Sequence, residues 1–125
     1  MKSRGRFSIY CHADLIGWSD LEGVDWPMGY VFGRFVPAPA YSNEQAAIRA
    51  ASNVPDRVAA QTALALSVRT PDGEELLVSG GICINDQSSE FGPEGIEIEL
   101  FAVDNLDAHF PEGAAQYERR SRGDA

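Results

Sequence analysis

The sequence predicts an α+β fold, a single domain in which a mostly antiparallel β-sheet carries one main helix packed on it. Three observations lead there. Strand-like alternation of apolar and polar residues recurs in two hairpin-like groups, separated by one strong helix signal. The regular succession of helices and strands that builds a parallel sheet is missing. A chain of 125 residues, 44% of them apolar, is enough for one core and too short for two.

Residues 7–13 alternate, with Phe7, Ile9, Cys11 and Ala13 on one face and Ser8, Tyr10 and His12 on the other, as in a half-buried strand. A turn at Ala13-Asp14 leads into a second strand over 15–18. Residues 19–27 break the pattern with Gly23, Pro27 and the acids Asp20, Glu22 and Asp25, and predict an exposed loop. Residues 28–36 resume as a strand, in which Gly33 marks a bulge or a close neighbour, and Pro37 and Pro39 end it. Ser42-Asn43-Glu44-Gln45 has the form of a capping box, so a helix is expected over 43–52, with Ile48 and the small Ala46, Ala47, Ala50 and Ala51 facing inward.

Asn53, Val54 and Pro55 stop that helix, and 56–61 reads equally as a helical turn or a loop. Residues 62–69 alternate again. Thr70-Pro71-Asp72-Gly73 is turn chemistry, and 74–85 should return as the partner strand, bent at Gly80-Gly81. After a loop at Gly92-Pro93-Glu94-Gly95, the last strand spans 96–103. The expected organisation is a basic N-terminal arm over 1–6, one domain over 7–110 and a flexible C-terminal tail over 111–125.

Charge narrows the class of partner. The net charge is −9, yet six of the ten basic residues lie at the ends (Lys2, Arg4, Arg6, Arg119, Arg120, Arg122). Between residues 7 and 116, four arginines face seventeen carboxylates, a balance of −13. Such a field repels nucleic acid and attracts basic protein surfaces. No stretch approaches the ~18 apolar residues of a membrane span, and the run after the basic start is broken by His12 and Asp14, so a cytoplasmic protein without a membrane partner is expected.

Catalytic signatures are sparse. Cys11 and Cys83 sit in apolar runs without C-x-x-C spacing, which points to core packing. His12 and Asp14 would share a strand face, but two ligands are too few for a closed zinc site, so no metal and no cofactor are expected. There is no G-x-S-x-G elbow and no phosphate loop, and Lys2 is the only lysine. Glu97 and Glu99 share a strand face at a spacing of two, which suits acid–base work or a cation and equally a solvated face.

One constellation stands out. Residues 18–29 place Trp18 and Trp26 in or beside the expected loop together with Asp20, Glu22 and Asp25, and no basic residue intervenes. Aromatic anchors beside carboxylates suit a partner's Arg or Lys, although the same tryptophans would also serve to close one edge of the core. The reading is a noncatalytic acidic protein-binding module, of inhibitor or immunity type by analogy of size and charge, that neutralises a basic partner through Trp18, Asp20, Glu22, Asp25 and Trp26. Two alternatives stand beside it. One is a small enzyme or ligand-binding protein with a pocket between sheet and helix, using His12, Asp14 or the Glu97/Glu99 pair; the other is a structural homodimer joined through a strand edge.

Overall fold

The computed structural model describes residues 6–25, 29–104 and 106–110. Two four-stranded antiparallel sheets share one core. The strands are β1 (Phe7–Cys11), β2 (Asp14–Ser19), β3 (Gly23–Asp25), β4 (Tyr30–Arg34), β5 (Val36–Pro37), β6 (Leu66–Arg69), β7 (Val78–Asp86) and β8 (Ile96–Val103). The first sheet has the order β5-β2-β1-β6 and the second β3-β4-β8-β7.

The sheets are joined by one long bent hairpin. Gly17 pairs with Pro37 and Trp18 with Val36 in the first sheet, and Gly23 with Phe32, Val24 with Val31 and Asp25 with Tyr30 in the second. Partner numbers sum to 54 in the first set and 55 in the second, so one arm carries an extra residue at the crossing. There Leu21 takes a left-handed φ of 48° and turns fully into the core. The Ser19 hydroxyl accepts the Leu21 N–H (3.0 Å), and the Glu22 carboxylate accepts the Arg34 N–H (3.3 Å). The expected loop over 19–27 is therefore corrected over 19–25, and its Trp26 and Pro27 lie outside the described residues. Ser19 is buried, Leu21 is core and 23–25 is a strand, because polar side chains satisfy the backbone groups that pairing drops at the bend.

Gly33 lies opposite that bend, and a Cβ there would stand 2.7 Å from Ser19 Oγ and 2.8 Å from Leu21 Cα. This is the close neighbour its sequence position implies. Gly33→Ala is expected to cost about 1–3 kcal/mol through forced displacement of packed atoms, read as a lowered denaturation midpoint with an unchanged m-value.

The first hairpin turns one residue earlier than its sequence suggests. Cys11 pairs with Asp14, leaving His12 and Ala13 in a two-residue turn with His12 at φ 57°. The His12 N–H is drawn to the Leu64 and Ala65 carbonyls (3.1 and 3.2 Å). His12 and Asp14 thus do not form a pair on one strand face.

Helix α1 (Gln45–Ser52) follows a 3-10 turn over Pro39–Asn43, and its cap is Glu44 without a side-chain bond. The capping box does not form. Ser42 donates instead to the Pro39 carbonyl (3.2 Å), and Gln45 reaches the carboxylate of Asp86 (3.2 Å). Ile48 and Ser52 are the buried residues of α1, whereas Ala46, Ala47 and Ala50 face outward. The ambiguous 56–61 segment holds α2 (Arg57–Ala60), capped where the Asp56 carboxylate accepts the Ala59 N–H (3.1 Å).

The expected pairing of 62–69 with 74–85 is replaced by a crossover. The turn forms, with Gly73 N–H bound to the Thr70 carbonyl (2.8 Å). Beyond it the returning chain pairs with β6 at the Arg69–Glu75 bridge, and the Leu76 N–H bonds the Val68 carbonyl (2.9 Å). Leu76 then enters the core, 3% exposed, and carries the chain into the second sheet, where β7 pairs with β8 while β6 pairs with β1. The bend expected at Gly80-Gly81 is present as a bulge between Val78 and Gly81, and Val58 of α2 sits over Gly81, whose φ is +104°. After β7 come α3 (Ser88–Phe91) and a 3-10 turn, Gly92–Gly95; α4 (Leu106–His109) follows β8.

Strand β7 ends the second sheet, and α1 and α2 cover its edge. The Gln61 side-chain amide, 1% exposed, behaves as a neighbouring peptide. Its nitrogen donates to the Ile84 carbonyl (2.7 Å) and its oxygen accepts the Ile84 N–H (2.8 Å). The Ser52 hydroxyl continues the seal: it accepts the Asp86 N–H (3.1 Å), and its one proton is shared between the Ile48 carbonyl of its own helix (2.7 Å) and the Ile84 carbonyl (3.0 Å). An edge that would otherwise offer open ladder positions is closed by side chains.

Candidate functional site

The outer face of the second sheet builds up from strand register. Along β8, Ile96, Ile98 and Leu100 enter the core, so Glu97, Glu99 and Phe101 point the other way. Arg34 and Asn85 flank Glu97, and Phe32 and Cys83 flank Glu99. Strand β3 extends the face by placing Gly23 beside Phe32 and Asp25 beside Tyr30.

Three half-buried aromatics form a continuous row. Tyr30 is at its centre, with ring centroids 5.0 Å from Phe32 and 5.3 Å from Phe101 and planes tilted by 25° and 21°. Such offset stacks fix side-chain geometry while leaving ring surface available to a neighbour.

Glu99 is held within this face, its side chain 12% exposed. It accepts from Tyr30 Oη (2.6 Å), Asn85 Nδ2 (2.8 Å) and an Arg57 terminal nitrogen (3.1 Å). Burial and the bond to Glu99 push the Tyr30 hydroxyl well above its ordinary pKa, so it stays a neutral donor. Burial likewise raises the Cys83 thiol, against the opposing pull of Arg57, and burial with nearby Glu44 and Asp14 raises Cys11 to about 11. Both free cysteines are buried thiols. The two glutamates paired in sequence thus divide: Glu99 clamps α2 to the sheet, and Glu97 is exposed to solvent.

Beyond Glu97 the face ends in two shallow hollows of about 290 and 280 Å³ that share Glu94, Ile96 and Glu97. The first is completed by Glu22, Gly23, Phe32, Gly33 and Arg34, and the second by Asn85, Gln87, Phe91 and Gly95. Phe91, at the end of α3, is 70% exposed. Both hollows lie at the foot of the size range of small-molecule sites.

The four arginines of the body are engaged within the chain. Arg34 lies 4.0 Å from Glu94, Arg49 3.6 Å from Asp86 and Arg57 3.1 Å from Glu99, while Arg69 covers the Tyr10 ring at 5.6 Å and donates to the Gly73 carbonyl. Glu97, Asp25 and Glu90 remain exposed.

The residues singled out in the sequence are distributed over both sheets. Trp18 is half-buried on β2, with the Arg6 guanidinium 5.7 Å from its ring, and Arg6 also approaches Asp20 at 3.9 Å. Glu22 sits at the bend and Asp25 on the outer face of the second sheet, and Trp26 lies outside the described residues. Tyr30 and Phe32 fall in the strand expected over 28–36, and Phe101, in the strand expected over 96–103, continues the Glu97, Glu99 alternation by one step. Phe91 carries no periodic signal. Among the described residues no group of three or more His, Cys, Asp or Glu side chains is placed to hold a metal ion, and no helix is long and apolar enough to cross a membrane. No protein-family model matches this chain, and no curated protein or solved structure shows significant similarity to it.

Proposed function

We propose that this chain is a noncatalytic, acidic protein-binding module that engages a basic partner through the outer face of its second sheet. The observation that carries the reading is the stacked row Tyr30, Phe32 and Phe101 beside exposed Asp25 and Glu97. Rigid aromatics dominate the energetic centre of protein interfaces, and rim carboxylates steer a positively charged partner into register. Placed over a basic cleft, such a face acts as an inhibitor by occupying it. The proposed surface takes in Asp25, while Trp18 belongs to the other sheet, where Arg6 approaches both its ring and Asp20.

The test is affinity capture from lysate of the source cells with the wild type and the double variant Asp25→Lys/Glu97→Lys, whose positions are both exposed. A basic protein retained by the wild type should associate at least about tenfold more slowly with the double variant at low salt, with thermal unfolding unchanged. Retention indifferent to the reversal would sink the assignment of this face.

A further inference from the structure

We infer that the hollow between α3 and the rim of β7 and β8 is the receptor for an arginine side chain presented by the partner. This rests on the binding reading above and gives that face its anchor. The floor is Ile96, 2% exposed, and the walls are Phe91, Gly95, Asn85, Gln87, Glu94 and Glu97. Polar groups there are rich in acceptors. Glu94 and Glu97 bring carboxylates, and Asn85 spends its Nδ2 on Glu99, which leaves its Oδ1 as an acceptor.

Phe91 adds an aromatic face that the fold leaves 70% exposed. A large apolar ring held open beside acidic groups calls for an occupant that is both cationic and planar. Guanidinium fits on each count. Its five N–H donors lie in a rigid plane that spans several acceptors, it is weakly hydrated, and its flat faces stack on aromatic rings, whereas an ammonium is a compact and strongly hydrated point charge.

The fold already places one guanidinium beside this wall. Arg34, reaching from β4 into the adjoining hollow, lies 4.0 Å from the same Glu94. That contact occupies the neighbouring hollow and leaves Glu97 and Phe91 for an incoming side chain. The charge of the body, four arginines against seventeen carboxylates between residues 7 and 116, provides the long-range attraction that brings a basic surface to it.

The experiment titrates the isotope-labelled full chain with acetyl-glycyl-arginyl-glycine amide, and with its lysine and citrulline counterparts, at about 0.15 M salt so that diffuse attraction is screened. The arginine peptide should give saturable amide shifts confined to residues 85–97, and the neutral citrulline peptide none. Glu97→Gln should weaken the arginine peptide about tenfold, and Phe91→Ala should abolish the preference for arginine over lysine. Shifts that are equal for lysine and spread over all acidic segments, or no saturable shift at all, would overturn the assignment. Partner capture lost in Asp25→Lys/Glu97→Lys yet untouched by Phe91→Ala and by Glu97→Gln would overturn the arginine anchor and leave the binding reading standing. A saturable arginine response without any captured partner would uphold the hollow and remove the broader reading.

Discussion

Replacing Asp86 with alanine is expected to remove about 3–5 kcal/mol of folding stability. Its side chain is fully buried, and nearly every group around it belongs to a different structural element. Tyr41 Oη and Gln45 Nε2 bond one oxygen (2.5 and 3.2 Å); the Ser88 hydroxyl and N–H bond the other (2.5 and 2.9 Å), and Arg49 lies 3.6 Å away. Removing the carboxylate strands these donors in a low-dielectric site and unties α1 from the end of β7. Urea unfolding at neutral pH measures the loss.

Asp86 also links that stability to pH. Burial alone would push the carboxyl up, but the bonds from Ser88, Tyr41 and Gln45 outweigh it and hold the folded value below the ordinary aspartate value. A depressed folded pKa means that the unfolded chain takes up the proton first. The stabilisation is therefore present in full above the unfolded value of about 3.9 and declines as pH falls through the folded one. Asp86→Asn, which cannot ionise, should lack this acid-sensitive increment, so the gap between wild type and variant at pH 7 should shrink by pH 3. A gap that stays constant would show that Asp86 does not carry it.

Gln61→Leu is expected to cost about 2–4 kcal/mol, because it keeps the side-chain size and deletes both bonds to Ile84. The Ile84 N–H loses its partner outright, and its carbonyl retains only a share of the Ser52 hydroxyl proton, which also faces the Ile48 carbonyl. Amide hydrogen exchange gives a local readout: the Ile84 N–H should be protected to the level of global unfolding in the wild type and exchange by local opening in the variant. Gln61→Glu should be worse than leucine, since a carboxylate oxygen would then oppose the Ile84 carbonyl.

The elements with strict period-two patterns were legible in the sequence. Strand β8 coincides with residues 96–103, and Gly33, Gly80 and Gly81 stand where the backbone bends or approaches closely. What stayed hidden was decided by long-range partners. Residues 19–25 look like a loop because Ser19, Asp20 and Glu22 are polar, yet Ser19 and Glu22 replace backbone bonds at a crossing between sheets. Pairing of β6 with β1, and of β7 with β8, depends on Leu76 entering a core that no local window reveals. The capping box failed for a similar reason, since Gln45 is drawn to Asp86, forty-one residues away. At the candidate site, alternation places Glu97 outward, but only the assembled sheet shows that Glu99 is a clamp and that Phe91 stands open beside its neighbour.

The bent hairpin that crosses from one sheet to the other makes Asp25, Tyr30 and Phe32 continuous with Trp18 and Val36 through unbroken backbone. Neither sheet can change its tilt without dragging the other and the packed crossing at Leu21 and Gly33. A partner of the kind proposed therefore meets a surface whose shape is fixed before contact, and little ordering entropy opposes its docking. Complex formation should then behave as rigid-body capture, with its speed set by charge attraction and its lifetime by how well the partner's anchor fits.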